Sequence, residues 1–568
     1  MSALDWTVLI ASLAAILIFS LSRSRGDQSV HAYVSAGKQM RWWVIGLSIM
    51  ATQASAITFI GTTSQGYSDG LRFVQFYFGL PIAMVLIAAF AAPAFHRSGV
   101  RTAYEFLERR FDFKTRALGS AVFLVQRGLG VGLAVYAPAV ALSVILGVPE
   151  APTILITVVL VATYTVLGGI RAVMWADAVQ MGVMFAGIAI AFCFAWNGLP
   201  AAVSFRDALA LAGSVGKLEA VDTSFDWNSR YTLWSGLLGA TFLSLAYFGT
   251  DQSQVQRYLT AKSLYHSRIS LLFNAMLKVP LQAFILLTGV LVFVFFLFEP
   301  PPMLFHPAER ARLERTHGEE LRAIDSRFEE AFQQRRGTAD RFVASGGAAA
   351  DRDSFARANQ RLHDVRSEAV ALAEQESGPG AYNDTNYVFL TFVLGYLPRG
   401  LIGLIMAGVF AAAMSTISSE LNSLATSTVV DHYARYVRPR ASERATRRAL
   451  RWATVGWAAY AAIFASFGGR LGSLIEAVNF VGSLFYGPML GVFAVAFLLK
   501  RVTGNGAFWG TAFGLVAVWL TKLVFPSLAF LWLNPLGCFA TILAAVFISA
   551  TGGGPGVVRG AATPAGRT

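Results

Sequence analysis

The chain has 568 residues, 55% hydrophobic and only 14% charged, with a net charge of +13. Soluble domains carry roughly 25% charged residues, so an ordinary soluble domain is excluded. The basic excess has no aromatic-studded face beside it, which excludes a nucleic-acid binder, and Cys193 and Cys538 both lie in apolar runs, which supports neither a disulfide framework nor a cysteine metal site.

The apolar residues fall in blocks of about twenty, the length of a bilayer-spanning helix and too long for barrel strands. About thirteen spans are predicted, roughly 5–22, 42–66, 73–96, 117–147, 151–170, 172–197, 231–250, 266–299, 399–430, 446–466, 472–499, 505–525 and 529–550. The first has no basic residue before it and Arg23 and Arg25 after it, the reverse of a secretory leader. It reads as a retained anchor with its N-terminus outside. Basic clusters then recur in alternate loops, at Arg97 to Arg116, Arg257 to Arg268 and Arg435 to Arg451. Cytoplasmic loops carry such clusters, so the chain is expected to be multi-pass in the inner (plasma) membrane with a cytoplasmic C-terminus. The polar stretch 198–230 is expected outside. The charged stretch 301–385 reads as an external helical hairpin inserted between spans eight and nine, with a Gly/Ala break at 346–350. It is either a solvated cap or a lid or docking part, its partner open. Residues 1–550 form the transmembrane domain, and 551–568, rich in Gly, Pro, Ala and Thr, read as a disordered cytoplasmic tail.

Polar groups inside spans are costly and face a cavity or each other. In span two, small and polar residues fill 46–61; Gln53 and Thr58 there are candidate solute contacts. Unwinding at that point would free carbonyls for a hard cation, whereas small residues also serve close helix packing. Span three begins with Gln75 and Tyr77, candidate cavity residues. Span four carries Arg127 near mid-membrane, about 18 Å above its start. In span six Asp177 needs a partner, either a bound cation or Arg171 or a nearby loop residue. Span seven ends in Gly249, Thr250, Asp251 and Gln252, which suggests a break. Arg127 and Asp251 either pair, or one meets the solute: Arg127 would favour a carboxylate, Asp251 an amine or hydroxyls. In span nine Ser415, Ser418, Ser419 and Asn422 share one helix face, with Thr416 on the adjoining edge. That stripe suits sodium, or plain interhelical hydrogen bonding. Asn479 and Ser483 of span eleven are further cavity candidates.

The stretches 35–43, 59–67, 164–177 and 254–257, with the serine-rich span nine, resemble the sodium:solute symporter family. Stretches 102–111 and 136–142 look most like its iodide, monocarboxylate and multivitamin branch. The resemblance implies an all-α integral membrane fold of two inverted repeats, about 42–197 and 231–499, each opening with a broken helix. It implies a sodium site of the Ala51, Ala54 and Ala412 carbonyls with the Ser415 and Thr416 hydroxyls. It implies a second sodium on Asp177, Ser415, Ser418 and Ser419. Where sugar-transporting members place an acid, this chain has Tyr77, and it has Asp251 where many have Asn, so a sugar is less expected. The insertion 301–385 is not a family part.

The expected function is therefore sodium-coupled import of a small organic solute or anion by alternating access, with sodium as coupling ion and no cofactor. A sodium ion crossing the full field contributes roughly 2.3 kcal/mol per 100 mV. No phosphate-binding loop or nucleophile constellation points to a pump or an enzyme. The alternative reading is a membrane sensor built on a transporter-like domain.

Overall fold

A computed structural model describes residues 1–24, 30, 36–377, 382–467 and 474–551. The expected tail lies, from residue 552 onward, outside the described residues. Among the described residues nearly every element is helical, and one isolated bridge joins Met40 to Ala261. Apolar side chains such as Ile18, Leu523 and Leu543 point outward, while Asp177, Arg257 and Lys278 are buried. That inversion of the soluble pattern is what a lipid solvent demands.

Nine stretches of the described residues are long and apolar enough to cross a bilayer. The thirteen-span expectation is larger by four, because the stretch 151–170 qualifies only as the shorter apolar helix Glu150–Thr163 and for two further reasons. A helix broken midway is too short on either side of its break to qualify. Glu443–Ala465 also carries several arginines at its start.

Helix α1 (Ala3–Ser24) begins beside the start of the ninth span, because Asp5 accepts from the Gly400 and Gly403 amides at 2.5 and 3.4 Å. The next span is broken. Helix α2 (Trp42–Gln53) stops at Ala54, whose ψ of 68° is not helical. A π-helical segment (Ile57–Thr62) and α3 (Thr63–Asp69) then carry the chain onward. A single hydrogen-bonded span follows as short 3₁₀, α and π pieces over residues 70–98. Helix α4 (Phe113–Leu146) is capped by Asp112, which accepts from the Thr115 amide at 2.9 Å.

Helix α5 (Glu150–Asn197) is helical over 48 residues. Straight, it would be about 72 Å long, over twice the bilayer core. It is a hairpin instead. At its start Glu150 accepts from the Tyr387 hydroxyl at 3.1 Å. Just past its end Gly198 sits on Phe295, which meets Tyr396 edge-to-face at 4.7 Å, close to Gly400. Both ends thus lie at the face where α1 begins. Trp175, midway, meets Trp43 at 5.6 Å and Arg23 at 5.4 Å at the opposite face. The expected spans 151–170 and 172–197 are its two arms.

The second broken helix runs α6 (Ala240–Thr250) to α7 (Gln252–Leu259), separated by Asp251 with an extended ψ of 124°. It descends as the first one ascends: the Met40 amide donates to the Thr260 carbonyl at 3.2 Å, joining the start of one to the end of the other. Helix α8 (Leu264–Phe298) packs on α3 closely enough that a Cβ on Gly289 would lie 1.9 Å from the Thr63 carbonyl.

The segment after α8 forms α9 (Gly318–Ala344) and α10 (Ala349–Ser377), turned by Gly346 and Gly347 at φ of 65° and 86°. Only glycine adopts such angles cheaply. Leu321, Phe328 and Phe332 pack on Leu362 and Ala369 as a small core of their own. Arg335 donates to the Phe296 carbonyl at 2.6 Å and fastens this hairpin to α8. Helix α11 (Leu401–Ser427) is the buried ninth span, and α12 (Leu474–Leu498) the eleventh.

Candidate functional site

The break after Gln53 leaves the C-terminal end of α2 in the middle of the protein. Helix C-termini carry partial negative charge on their free carbonyls. Helix α11 comes alongside, and the Thr416 hydroxyl donates to the Thr52 carbonyl at 3.2 Å. The Thr58 hydroxyl donates to the Gln53 carbonyl at 3.0 Å. Ala51, Ala54 and Ala412 are fully buried beside them. The two stretches read from sequence as one oxygen cluster therefore meet, 364 residues apart in the chain.

The hydroxyl stripe of α11 faces the other way, towards α5 and α7. Ser415 donates to Asp177, and Ser48 donates to the same carboxylate at 2.5 Å. Ser418 turns back to the Ser415 carbonyl at 3.1 Å. Ser419 accepts from Arg257, whose Nη2 lies 3.3 Å from Asp177. Asn422 accepts from Gln256 at 3.4 Å. The partner of Asp177 is thus Arg257, not the suggested Arg171. The guanidinium is fixed by Ser48 and the Ser253 carbonyl as well, and only 1% of its side chain is exposed. In the sequence Arg257 falls at the end of the stretch 254–257 and at the head of a basic cluster. Its signal was an arginine close after a suspected helix break.

On the adjoining edge of α11, one turn after Thr416, stands Glu420. It accepts from Arg127 at 2.8 Å. Arg127 also pairs with Asp251 and lies 3.3 Å from the Tyr486 hydroxyl and 5.2 Å from the Tyr247 ring centroid. The suggested Arg127–Asp251 pair is present, joined by an acid that sequence reasoning passed over. Asp251 further caps α7 by accepting from the Ser253 amide at 2.8 Å. Such a buried triad resists breakage: removing one partner of a buried pair typically costs about 3–5 kcal/mol.

A cavity of about 90 Å³ lies between the first break, α4, α6, α11 and α12. Of the solute candidates, Gln53, Thr58, Tyr77, Arg127 and Asn479 line it. Three of the solute candidates and the cavity candidate Ser483 do not. Gln75 donates to the Tyr231 carbonyl at 3.2 Å and accepts from the Asp222 amide at 2.9 Å, so it holds backbone. Gln252 accepts from the Ala103 amide at 2.8 Å and does the same. Asp251 reaches the cavity only through Arg127. Ser483 meets Asn534 at 3.0 Å, away from the lining. A wider cavity, about 710 Å³, lies between Glu150 and the residues flanking His306 and Tyr387, remote from both breaks.

Two broken helices of opposite direction, a buried oxygen cluster at the first and a charged cluster at the second, define an inverted-repeat secondary transporter. The chain belongs to the sodium:solute symporter family, whose profile matches residues 33–310 and 369–514 and skips most of α9 and α10. It is 26% identical over 524 residues to sodium-coupled monocarboxylate transporter 1 of Homo sapiens, covering 89% of this chain and 71% of that protein. It is 30% identical over 289 residues to the Homo sapiens sodium/iodide cotransporter, 51% of this chain and 44% of that protein. Among solved structures, a Na⁺-coupled sialic acid symporter in a substrate-bound outward-open state superposes with a TM-score of 0.74 at 21% identity, over 97% of this chain and 98% of the other. The likeness extends the fold assignment to nearly the whole chain. The protein is a multi-pass membrane transporter and not an enzyme.

Proposed function

We infer that the protein imports a small organic solute by coupling to sodium at the junction of α2 and α11. The observation that carries this reading is the Thr416 hydroxyl on the Thr52 carbonyl at the helix break, 3.2 Å apart. Neutral oxygens there offer a dehydrated sodium ion ligands at low desolvation cost. The ion would draw on Ala51, Ala54 and Ala412 carbonyls with the Thr416 hydroxyl, and with the Ser415 hydroxyl once it turns from Asp177. It would hold the outward-open arrangement by tying α2 to α11. Solute would then fill the neighbouring cavity, and release of the ion to the cytoplasm would let the two helices part.

A second sodium at Asp177, Ser415, Ser418 and Ser419 demands that Arg257 withdraw. With the guanidinium in place the carboxylate is neutralised, and a further cation there would be an unpaired buried charge. The reading places the protein in the plasma membrane, N-terminus and hairpin outside. The sodium-coupled activities named for its relatives support symport over a sensor role.

The test is protection of the purified full chain against heat in sodium versus potassium, followed by solute uptake into proteoliposomes. Sodium is expected to raise the unfolding temperature and to drive uptake. Identical behaviour in the two salts overturns the proposal.

A further inference from the structure

A pocket of about 300 Å³ lies where the inserted hairpin faces the far end of α3. Tyr67 and Asp69 of α3 line it, with Lys217, with Arg335 of α9 and Arg366 of α10, and with Asp384. Tyr67 stands nine residues, about 14 Å at helical rise, beyond Thr58 of the inner cavity. The two spaces share no lining residue.

The charges of this pocket match in pairs, with one left over. Arg366 donates to Asp384 at 2.6 Å. Lys217 donates to the Ser68 carbonyl at 2.5 Å and has Asp69 as its carboxylate. Arg335 has none. It is 3% exposed, and among the described residues no carboxylate acts on it. Burial holds the guanidinium down to about 10, so it remains a cation at neutral pH.

The hydrogen bonds of Arg335 are incomplete as well. Its Nη2 donates to the Phe296 carbonyl at 2.6 Å, and the guanidinium lies 5.6 Å from the Phe332 ring centroid. A carbonyl and a ring soften a buried cation without neutralising it. Its Nε is buried with no hydrogen-bond partner. None of the described side chains lining the pocket leaves a buried acceptor unmet, so the imbalance is one-sided: a donor and a positive charge. The Tyr67 hydroxyl, within electrostatic reach of Arg335, adds a second donor to the same wall.

The remaining wall is largely apolar. Phe293 and Phe305 meet Tyr67 edge-to-face at 5.9 and 5.8 Å, and Phe328 and Leu362 close the space from the hairpin. A halide would meet the charge and leave these surfaces unused. A carboxylate with a short hydrocarbon tail meets both.

We propose that this pocket is an accessory site for a small organic carboxylate, its anionic end taken by Arg335 and Tyr67 and its tail lying against Phe293, Phe305 and Phe328. The occupant bridges the inserted hairpin and the outer half of the first broken helix. The site is separate from the transport cavity and does not depend on which solute fills it.

The test measures heat protection of the full chain in detergent by acetate and butyrate against chloride and butylamine, at one ionic strength and in potassium. Butyrate is expected to protect at concentrations about tenfold below acetate and at least about tenfold below chloride. Arg335→Gln is expected to weaken butyrate by at least about tenfold, and Arg335→Lys, which keeps the charge, by less. Should Arg335→Gln fail to fold, Tyr67→Phe serves, with an expected loss of at least about threefold. Hydrogen exchange is expected to slow on addition of butyrate over residues 63–69 and 328–342. Chloride or butylamine as effective as butyrate overturns the assignment. So does protection undiminished in the folded variants, or slowed exchange confined to the inner cavity. A protein that responds to sodium but to no carboxylate loses this site and keeps the transport reading.

Discussion

The hydroxyl of Thr416 donates to the carbonyl of Thr52, so the ninth span is fastened to the second at the point where the second stops being a helix. Thr416→Val keeps the shape and removes the oxygen. The half-saturating sodium concentration is expected to rise about tenfold or more, a loss of ~1.4 kcal/mol. Thr416→Ser is expected to stay within about threefold of the parent. Sodium titration of heat protection checks both, and a valine variant with unchanged sodium affinity would move the ion site elsewhere.

Arg257→Met leaves Asp177 buried without its cation, with Ser48 and Ser415 as remaining partners. The expected destabilisation in potassium is about 3–5 kcal/mol. In sodium, part of that loss is expected to be recovered, because the ion takes the vacated position. The double variant Arg257→Met with Asp177→Leu is expected to regain stability without a sodium response of this kind. Denaturation curves in the two salts measure it; equal curves for the single variant in both would mean that no cation enters there.

His306 sits at the start of the inserted segment, where its Nδ1 accepts from the Glu309 amide at 3.4 Å and its Nε2 faces the Tyr387 hydroxyl at 3.0 Å. Tyr387 donates on to Glu150 at the start of the α5 hairpin. Burial holds the imidazole below its ordinary value of 6.5, against the opposing pull of Glu150, Glu309 and Asp384. The folded protein therefore resists a proton that the unfolded chain takes up. The contribution of neutral His306 is complete above pH 6.5 and declines as pH falls from there towards the lowered folded value. Hydrogen exchange over residues 307–316 is expected to accelerate between about pH 7.5 and about pH 5. His306→Asn keeps a capping oxygen and is expected to flatten that dependence; a parent protein with no pH response contradicts the account.

Gly289→Ala forces a methyl group against the Thr63 carbonyl, a backbone atom that cannot rotate away. The expected cost is at least about 1–3 kcal/mol. Gly182→Ala is the internal control, because a Cβ there meets nothing within 4 Å. It is expected to be neutral or to stabilise by up to about 1 kcal/mol. Thermal unfolding of the two variants side by side decides the matter, and equal effects would remove the packing argument.

Much of this architecture is written in periodicity and in small residues. The faces of α11 follow from helical spacing alone, so Ser415 and Ser419 fall together and Thr416 falls beside them. Both helix breaks announce themselves, at the small-residue run around Ala54 and at Gly249. Glu420 was legible too, one turn beyond Thr416 on the same edge. Other features depend on contacts that no local pattern encodes. Arg257 finds Asp177 from a helix 80 residues away. Gln75 and Gln252 look like cavity residues in the chain but turn to backbone groups of distant loops. The α5 hairpin was expected as two spans, and the helical assignment runs on through both.

The short backbone contact between Met40 and Thr260 has a mechanical meaning. It stitches the foot of one discontinuous helix to the foot of the other by main-chain atoms, so the seam is blind to side-chain identity. Substitution of either side chain, proline at Met40 excepted, therefore leaves this junction between the two broken helices in place.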